Sequence, residues 1–336
     1  MYSHKYLTFL FFCLMLSSLL CAQNSPALRM VFWNVENLFD TRNDSLTLDD
    51  EFTPSGGMHW NEQRYRNKLN NVYQTIAAMG RTDNGTLEMP AIVAMAEVEN
   101  NKVLRDLCQG TPLRKSGYKP IHYDSPDVRG IDNAVIYRPD CFRMVASTPI
   151  CVSDSASHFF TRDILCIVGT LASGDTLILF VNHFPSKRGG EDAERRRERV
   201  AATLRRHMDS AALMHPGSAI VVMGDFNAAP DEKAISKTLL GSSLYVNLMS
   251  GASPRLGSYN YQGQWSYIDQ IIVLRSMVDG SSPLQVSGAQ AHVFDAAFLL
   301  TDDDRHLGVK PFRTYLGIRY LGGFSDHLPV YVDIVR

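Results

Sequence analysis

The sequence predicts an α/β sandwich, on three observations. Short apolar runs of strand length recur along the chain, at Leu28–Trp33, Ile92–Ala96, Ala134–Tyr137, Ile164–Leu171, Leu177–Asn182, Ala219–Met223, Ile268–Leu274 and Val330–Val335. Runs of this length, rich in Val and Ile, fit buried strands. Helical periodicity separates only some of them: Tyr65, Leu69, Val72, Tyr73 and Ile76 recur at helical spacing, and a second helical stretch runs from about Ala193 to Met214. Elsewhere strand runs follow one another directly, a mixture that suits layered sheets and helices better than a purely alternating doubly wound fold. Finally, 45% of the residues are hydrophobic and 20% charged, enough apolar mass for a large core.

The first residues read differently from the rest. Lys5 supplies a positive charge, Leu7 to Leu20 form an apolar run too short for a membrane span, and Cys21-Ala22-Gln23 follow. Residues 1–22 are therefore expected to be a signal peptide cleaved after Ala22, sending the protein to the periplasm or the exterior. Cys21 raises the alternative of a lipid anchor, the one route by which the chain would meet a membrane. Leu20 weighs against it, being bulky where lipobox patterns carry a small residue. Residues 23–336 contain no internal repeat, low-complexity tract or long linker and are expected to form a single domain. Of the cysteines, Cys108, Cys141, Cys151 and Cys166 remain after cleavage. They could pair in up to two disulfides in an oxidising compartment or stay as buried thiols, and their spacing does not resemble a zinc site.

A formal net charge of -2 supplies no overall basic field. This disfavours a tight, unspecific nucleic-acid binder but not a hydrolase that grips a few phosphates. Arg195, Arg196, Arg197 and Arg199 alternate with Glu191, Asp192, Glu194 and Glu198, which reads as a solvated helix face rather than a nucleic-acid stripe.

The strand runs share one property. Several end in, or run straight into, polar residues: Asn34 and Glu36, Glu97, His183, Asp225 and Asn227, and Asp269. Ser325-Asp326-His327 directly precedes the last strand. Polar groups gathered at strand ends above an apolar body are how a scaffold presents a site. Glu97, following Ile-Val-Ala-Met-Ala, is either a carboxylate emerging from a buried strand or an exposed charge just beyond it. In Val-Val-Met-Gly-Asp-Phe-Asn, Gly224 permits a tight backbone, and Asp225 and Asn227 either point the same way in an extended chain or close an Asx turn. Hydrolysis of a phosphate ester needs a cation on the phosphoryl oxygens, a base for water and a partner for the leaving oxygen. Carboxylates suit Mg²⁺, and an oriented imidazole suits the base.

In order along the chain, Phe32-Trp33-Asn34-Val35-Glu36-Asn37, Ala96-Glu97-Val98-Glu99, Val181-Asn182-His183, Gly224-Asp225-Phe226-Asn227, Tyr267-Ile268-Asp269 and Ser325-Asp326-His327 resemble the endonuclease/exonuclease/phosphatase superfamily. That superfamily includes deoxyribonuclease I, repair exonucleases, inositol polyphosphate phosphatases and neutral sphingomyelinases. The matching segments span Phe32 to His327. The resemblance implies a four-layered α/β sandwich, two central, mostly antiparallel sheets flanked by helices, with the site at one edge. It implies Mg²⁺ or Mn²⁺ as cofactor, with Glu97 as principal ligand, Asp326 as another acid of the metal site, Asn34 at the phosphate or metal shell and Glu36 as a second metal-site acid. It places His183 at the scissile phosphate, Asp225 and Asn227 at water and phosphate, and His327 as general base oriented by Asp269. Arg129, Lys187 and Arg188 are candidate phosphate contacts, Arg129 being equally readable as an exposed loop arginine. Glu99 and Asn37 flank these motifs as bystanders, and the acidic, turn-rich segment Asp40–Trp60 reads as a substrate-facing or flexible insertion.

The expected activity is hydrolysis of phosphodiesters, nucleic acid first among them. An inositol phosphate phosphatase or sphingomyelinase-like phospholipase is the alternative. An inactive binding protein on this fold is disfavoured because every motif position is filled. No stable protein partner is implied.

Overall fold

The computed structural model describes residues 28–83, 86–155, 158–241, 244–250 and 256–336. The expected leader, residues 1–22 with Cys21, lies outside the described residues. In chain order the strands of the two large sheets are β1 (Leu28–Leu38), β2 (Ile92–Val98), β3 (Lys119–His122), β4 (Asp132–Tyr137), β5 (Phe142–Ile150), β6 (Ile164–Leu171) and β7 (Thr176–His183). They continue with β8 (Ala219–Asp225), β9 (Tyr245–Asn247), β10 (Asp269–Leu274), β11 (Gln285–Val286), β12 (His292–Val293) and β13 (Val330–Val335). Every apolar run read from the sequence is one of these strands. One sheet has the order β11-β13-β1-β2-β4-β3, with β12 also along β13; the other has the order β9-β10-β8-β7-β6-β5.

Alternation of side chains builds the layers. On β1, Met30 and Phe32 point toward the second sheet, while Val31, Trp33 and Val35 point the other way. On β2, Ile92, Ala94 and Ala96 share the inter-sheet core, and Val93 and Met95 join the outer one. A strand apolar on both faces must be covered on both. Helices α1 (Glu62–Ala78) and α2 (Asn101–Gly110) cover the first sheet through Leu69, Val72, Ile76, Val103, Leu104 and Leu107. Helix α3 (Glu191–Met214) covers the second through Val200, Leu204 and Met208. The result is the four-layered α/β sandwich, helices outside and sheets inside. Both first-sheet helices begin on asparagine caps: the side chain of Asn61 accepts from the backbone of Arg64, and that of Asn100 from Lys102 and Val103.

Each sheet is antiparallel except for one central parallel pair, β1 with β2 and β7 with β8. A parallel pair requires a crossover, and α1 and α3 supply the two. Both pairs end on polar residues, and a hydrogen bond from Asn34 Nδ2 to Asp225 Oδ2, 3.1 Å long, joins the two ends across the sandwich. The strands' carboxyl ends thus meet at one edge, where α/β sheets bind ligands. The four described cysteines are free thiols, Cys108 buried and Cys151 exposed, so the disulfide alternative is not realised.

Gly224 sits where β8 runs beside Asn182 of β7, and a Cβ there would stand 2.3 Å from the Asn182 carbonyl oxygen and 2.8 Å from its Cβ. Gly224→Ala is expected to cost about 1–3 kcal/mol through overpacking and to lower the melting temperature by several degrees in a calorimetric scan. Gly110→Ala, at a helix end with open space around it, should leave the melting temperature unchanged.

Candidate active site

Two bulges shape the edge. The β1–β2 register slips between Asn34 and Leu38, and the β2–β4 register between Met95 and Val98. Within them Glu36, Asn37 and Glu97 take left-handed backbone conformations, with φ of 52°, 53° and 64°. Side chains avoid this region, which costs on the order of 1–3 kcal/mol per residue and concentrates at functional sites. The bulges turn consecutive side chains away from the pleat. The backbone N–H of Asn37 donates to Glu97 Oε2 at 2.9 Å, so each bulge holds the other. Asn227, directly after β8, has φ 46° and donates from Nδ2 to the Phe184 carbonyl at 3.0 Å.

The edge encloses a cavity of about 630 Å³. Asn34, Glu97, Arg129, His183, Lys187, Arg188, Asp225, Asn227, Asp326 and His327 all line it. Asp269 and Glu36 stand behind its wall, at 0% and 3% exposure. The sequence reading missed Arg162 and Tyr259, which also line it.

His327 is held from four directions. Its Nδ1 lies 2.8 Å from Asp269 Oδ2, its backbone N–H donates to Ser325 Oγ, its carbonyl accepts from Trp33 Nε1, and the Tyr259 ring packs 4.8 Å from its own. A carboxylate can only accept, so Nδ1 carries the proton and Nε2 is left facing Asp225 Oδ2 at 3.9 Å. Burial opposes the imidazolium, but the Asp269 carboxylate, helped by Asp225 and Asp326, holds its pKa well above the ordinary 6.5. His183 is the opposite case: burial, then the charges of Arg162 and Arg129, push it well below 6.5, so it is neutral. Its Nε2 lies 3.6 Å from the same Asp225 oxygen. Asp225 therefore stands between the two imidazoles. Burial raises its pKa to about 7 against the pull of His327.

Glu36 has neighbours that the metal-site position did not anticipate. Its Oε2 accepts from the Thr314 backbone at 2.7 Å and its Oε1 lies 3.3 Å from Arg313, which also binds Asp326 Oδ2 at 3.0 Å. Beneath them Lys68, 1% exposed, donates to Thr314 Oγ1 and to the Phe324 carbonyl. Burial and then Asp326 raise Glu36 to about 7, while burial lowers Lys68 to about 8. Arg313 thus props Asp326 from behind, a role invisible in the sequence because Arg313 sits in irregular backbone outside every motif segment and reaches Glu36 only through the fold.

Four cations occupy the other wall. Arg129 Nη2 donates to Asn37 Oδ1 at 2.6 Å and its Nη1 lies 3.9 Å from Glu97; Arg162 pairs with Asp127 at 2.8 Å; Lys187 pairs with Glu232 at 2.6 Å; Arg188 lines the cavity beside them. Asn37 is thereby a link between Arg129 and Glu97 rather than a bystander. The Asp40–Trp60 segment lines none of the cavity. Its aromatic residues turn inward instead: Phe52 stacks on Phe39 at 4.4 Å and buried Trp60 donates to the Phe39 carbonyl. Leu48 N–H donates to the Val128 carbonyl, so the segment props the Arg129 loop from outside.

The oxygen-rich side of the cavity suits a hard cation. Glu97 spends one oxygen on the Asn37 N–H, and burial together with Asp269 drives up the pKa of Asp225, as burial and Asp326 do for Glu36. Carboxylates crowded in this way are relieved by a divalent ion, and oxygen donors without thiols favour Mg²⁺ or Mn²⁺ over softer metals. Asp225, Asp269 and His327 also lie close enough to enclose an ion, but the short His327–Asp269 contact makes them a hydrogen-bonded chain instead.

This fold, with paired carboxylates, two imidazoles whose pKa values are shifted in opposite directions and a cationic wall at one edge, defines a hydrolase of phosphoester bonds. The family model described as "Endonuclease/Exonuclease/phosphatase family" matches residues 29–336, and the chain belongs to that family. Among solved structures it is similar to an endonuclease/exonuclease/phosphatase family protein from Bacteroides thetaiotaomicron, with TM-score 0.59, 16% identity and coverage of 92% of this chain and 98% of that one. A mannosyl-6-phosphatase of the same organism gives TM-score 0.58 and 18% identity over 92% and 100% of the two chains. D. rerio TDP2 complexed with single strand DNA product gives 0.55 and 14% over 92% and 98%. No curated protein matches the chain.

The His327 environment fixes a pH prediction. Since Asp269 raises the imidazole pKa, its proton leaves only above the ordinary histidine range, and the acid limb of kcat/KM is expected above pH 6.5. Asp269→Asn removes that attraction, so the limb should move to lower pH while the plateau falls. A pH–rate profile of both proteins checks it, and an unmoved limb would exclude His327 as the titrating group.

Proposed function

We propose that the protein hydrolyses phosphodiesters, nucleic-acid strands first among them, by His327-assisted attack of water. The observation that carries this reading is the buried Asp269–His327 pair, whose free Nε2 faces the cavity floor beside Asp225. Asp269 fixes the Nδ1–H tautomer, leaving Nε2 to take the proton of the attacking water. Asp225 and Asn227 orient that water and a non-bridging oxygen. Neutral His183 offers an N–H to a phosphate oxygen without adding charge. Glu97 and Asp326, with Asn34 nearby, would hold Mg²⁺ or Mn²⁺, which when bound neutralises phosphoryl charge and stabilises the leaving oxygen. Arg313 and Lys68 keep Asp326 and Glu36 in place beneath it.

Charge favours the diester. Of the four wall cations, Lys187 and Arg162 are already paired with Glu232 and Asp127, and Arg129 approaches Glu97. The surplus positive charge suits a monoanionic phosphate better than a dianionic one. Similarity in fold to a protein complexed with a single strand DNA product supports the same substrate class. A second reading, a phosphatase of compact phosphomonoesters, draws on the convergence of all four cations on one cavity of about 630 Å³. We propose also that the protein works outside the cytoplasm after losing residues 1–22. Mass spectrometry of the native protein would find a start near Gln23, against an intact Met1 or a lipid-modified Cys21.

His327→Ala and Asp225→Ala are each expected to lower turnover by about 10²–10⁴-fold with unchanged melting, and chelation should abolish activity until Mg²⁺ or Mn²⁺ is restored. On a panel of plasmid DNA, RNA, inositol phosphates, sugar phosphates and sphingomyelin, nicking lost in His183→Ala would support the diesterase. Efficient release of phosphate from monoesters with DNA and RNA intact would replace it by the second reading, with Arg188→Ala then raising KM.

A further inference from the structure

A second group of ligand-type side chains lies outside the catalytic cavity. His122 ends β3, Asp132 begins β4, and Asp124 stands on the loop between them. The His122 side chain is fully buried, and neither of its ring nitrogens reaches a hydrogen-bond partner among the described residues. Each nitrogen faces a carboxylate at more than hydrogen-bond distance, Nε2 at 3.5 Å from Asp132 Oδ2 and Nδ1 at 3.8 Å from Asp124 Oδ1. Asp132, 4% exposed, has a second oxygen that is likewise unpartnered. A void of about 10 Å³, lined by Asp132, Asn133 and Asp163, adjoins it. Polar atoms this deeply buried ordinarily find partners, because leaving one unsatisfied costs about 1–3 kcal/mol.

We propose that His122, Asp124 and Asp132 bind a divalent first-row metal, Zn²⁺ in type, as a site separate from the catalytic one. One ligand atom from each of the three lies within 4.8 Å of the others. Ligands about 2.0–2.2 Å from zinc stand roughly 3.3–3.6 Å apart in a tetrahedron, the spacing that His122 Nε2 and Asp132 Oδ2 already have; exposed Asp124, which stands beside Nδ1 at 3.8 Å, must swing along the ring edge to complete the shell at Nε2. One imidazole nitrogen with two carboxylates is a mixed set that suits Zn²⁺ better than an all-oxygen ion.

The site has a consequence for the cavity. Two of its ligands, His122 and Asp132, bracket residues 123–131, the loop that carries Asp124, Asp127 and Arg129. Arg129 lines the catalytic cavity, and Asp127 holds Arg162, which lines it too. β3 and β4 already pair at the base of this loop, His122 opposite Ala134, and Leu48 holds Val128; an ion on Asp124 would add a third tie, within the loop itself. The metal thus acts as a positioning element for the cationic wall, not as a participant in hydrolysis.

The test uses the purified protein in a Glu97→Gln background, which cripples the catalytic metal position, stripped with chelator and titrated calorimetrically with Zn²⁺ alone. One tight equivalent of Zn²⁺ is expected, together with a rise in melting temperature and slowed hydrogen exchange across residues 123–131. His122→Gln should weaken binding by about tenfold or more. Because His122 is buried and its variant could misfold, Asp124→Asn provides the second arm: its side chain is 89% exposed, its metal-free melting should match the parent, and its Zn²⁺ affinity should fall similarly. Undiminished Zn²⁺ binding in both variants would overturn the proposal. So would loss of all Zn²⁺ binding in Glu97→Gln alone. A buried His–Asp ion pair in place of a metal would appear as metal-independent, pH-dependent melting altered by His122→Gln with no bound Zn²⁺, and would overturn it as well.

Discussion

Asp225 is a carboxylate with 1% exposure at the seam of two sheets, and the edge is organised around keeping it there. A buried carboxylate must be hydrogen-bonded or it neutralises. One oxygen accepts the Asn227 N–H at 2.9 Å, which needs the left-handed turn after β8. The other accepts Asn34 Nδ2 from the opposite sheet and faces both His183 and His327. Satisfying this one group therefore ties the carboxyl ends of both parallel strand pairs together. It also sets the two imidazoles on either side of a common acceptor, where Asp269 can raise one while Arg162 and Arg129 depress the other. The opposed shifts follow from who stands behind each ring.

The backbone around that seam has its own logic. A pleated strand sends neighbouring residues to opposite faces, so a strand end alone presents one functional side chain in two. The bulges at Glu36–Asn37 and Glu97 break that rule and let consecutive residues serve the edge. Their cost is offset by hydrogen bonds that the displaced carboxylates accept, Glu97 from the Asn37 N–H and Glu36 from the Thr314 N–H. Support then passes outward, from Arg313 under Asp326 and Lys68 under Thr314 to the aromatic layer of Phe52, Trp60 and Tyr315 that packs the helical side.

The sequence made some of this legible and hid the rest for physical reasons. Strands with apolar residues on both faces appear as continuous runs, so β1, β2, β4, β6, β7, β8 and β10 were readable, as was the Val- and Ile-rich β13, together with the polar residues that adjoin several of them. Helix α2 was overlooked although Asn100 caps it and Val103, Leu104, Leu107 and Cys108 form its stripe; ten residues between two strands gave the period little room. The short strands β11 and β12 are held by pairing to β13 rather than by their own pattern. Arg162, Arg313, Lys68 and Tyr259 carry no local signal, since each lies outside the motif segments and meets the site only through contacts that the fold brings together. The Asp40–Trp60 segment misled because its acidity suggests solvent, whereas its few aromatic residues decide where it lies.

Those hidden residues bear on what the cavity can accept. The acids read from motifs, Glu97, Asp225, Asp269 and Asp326, would by themselves repel a phosphate. Arg129, Arg162, Lys187 and Arg188 reverse that on one wall, yet all but Arg188 have an acidic neighbour within 4 Å. The wall is thus a set of donors in fixed positions more than a reservoir of free charge. Such a wall discriminates by geometry, because a phosphate must meet guanidinium groups whose other contacts, to Asn37, Asp127 and the Phe184 carbonyl, already set their planes. Selectivity should accordingly reside in the loops that hold those arginines, residues 123–131 above all, and not in the buried Asp225, Asp269 and His327.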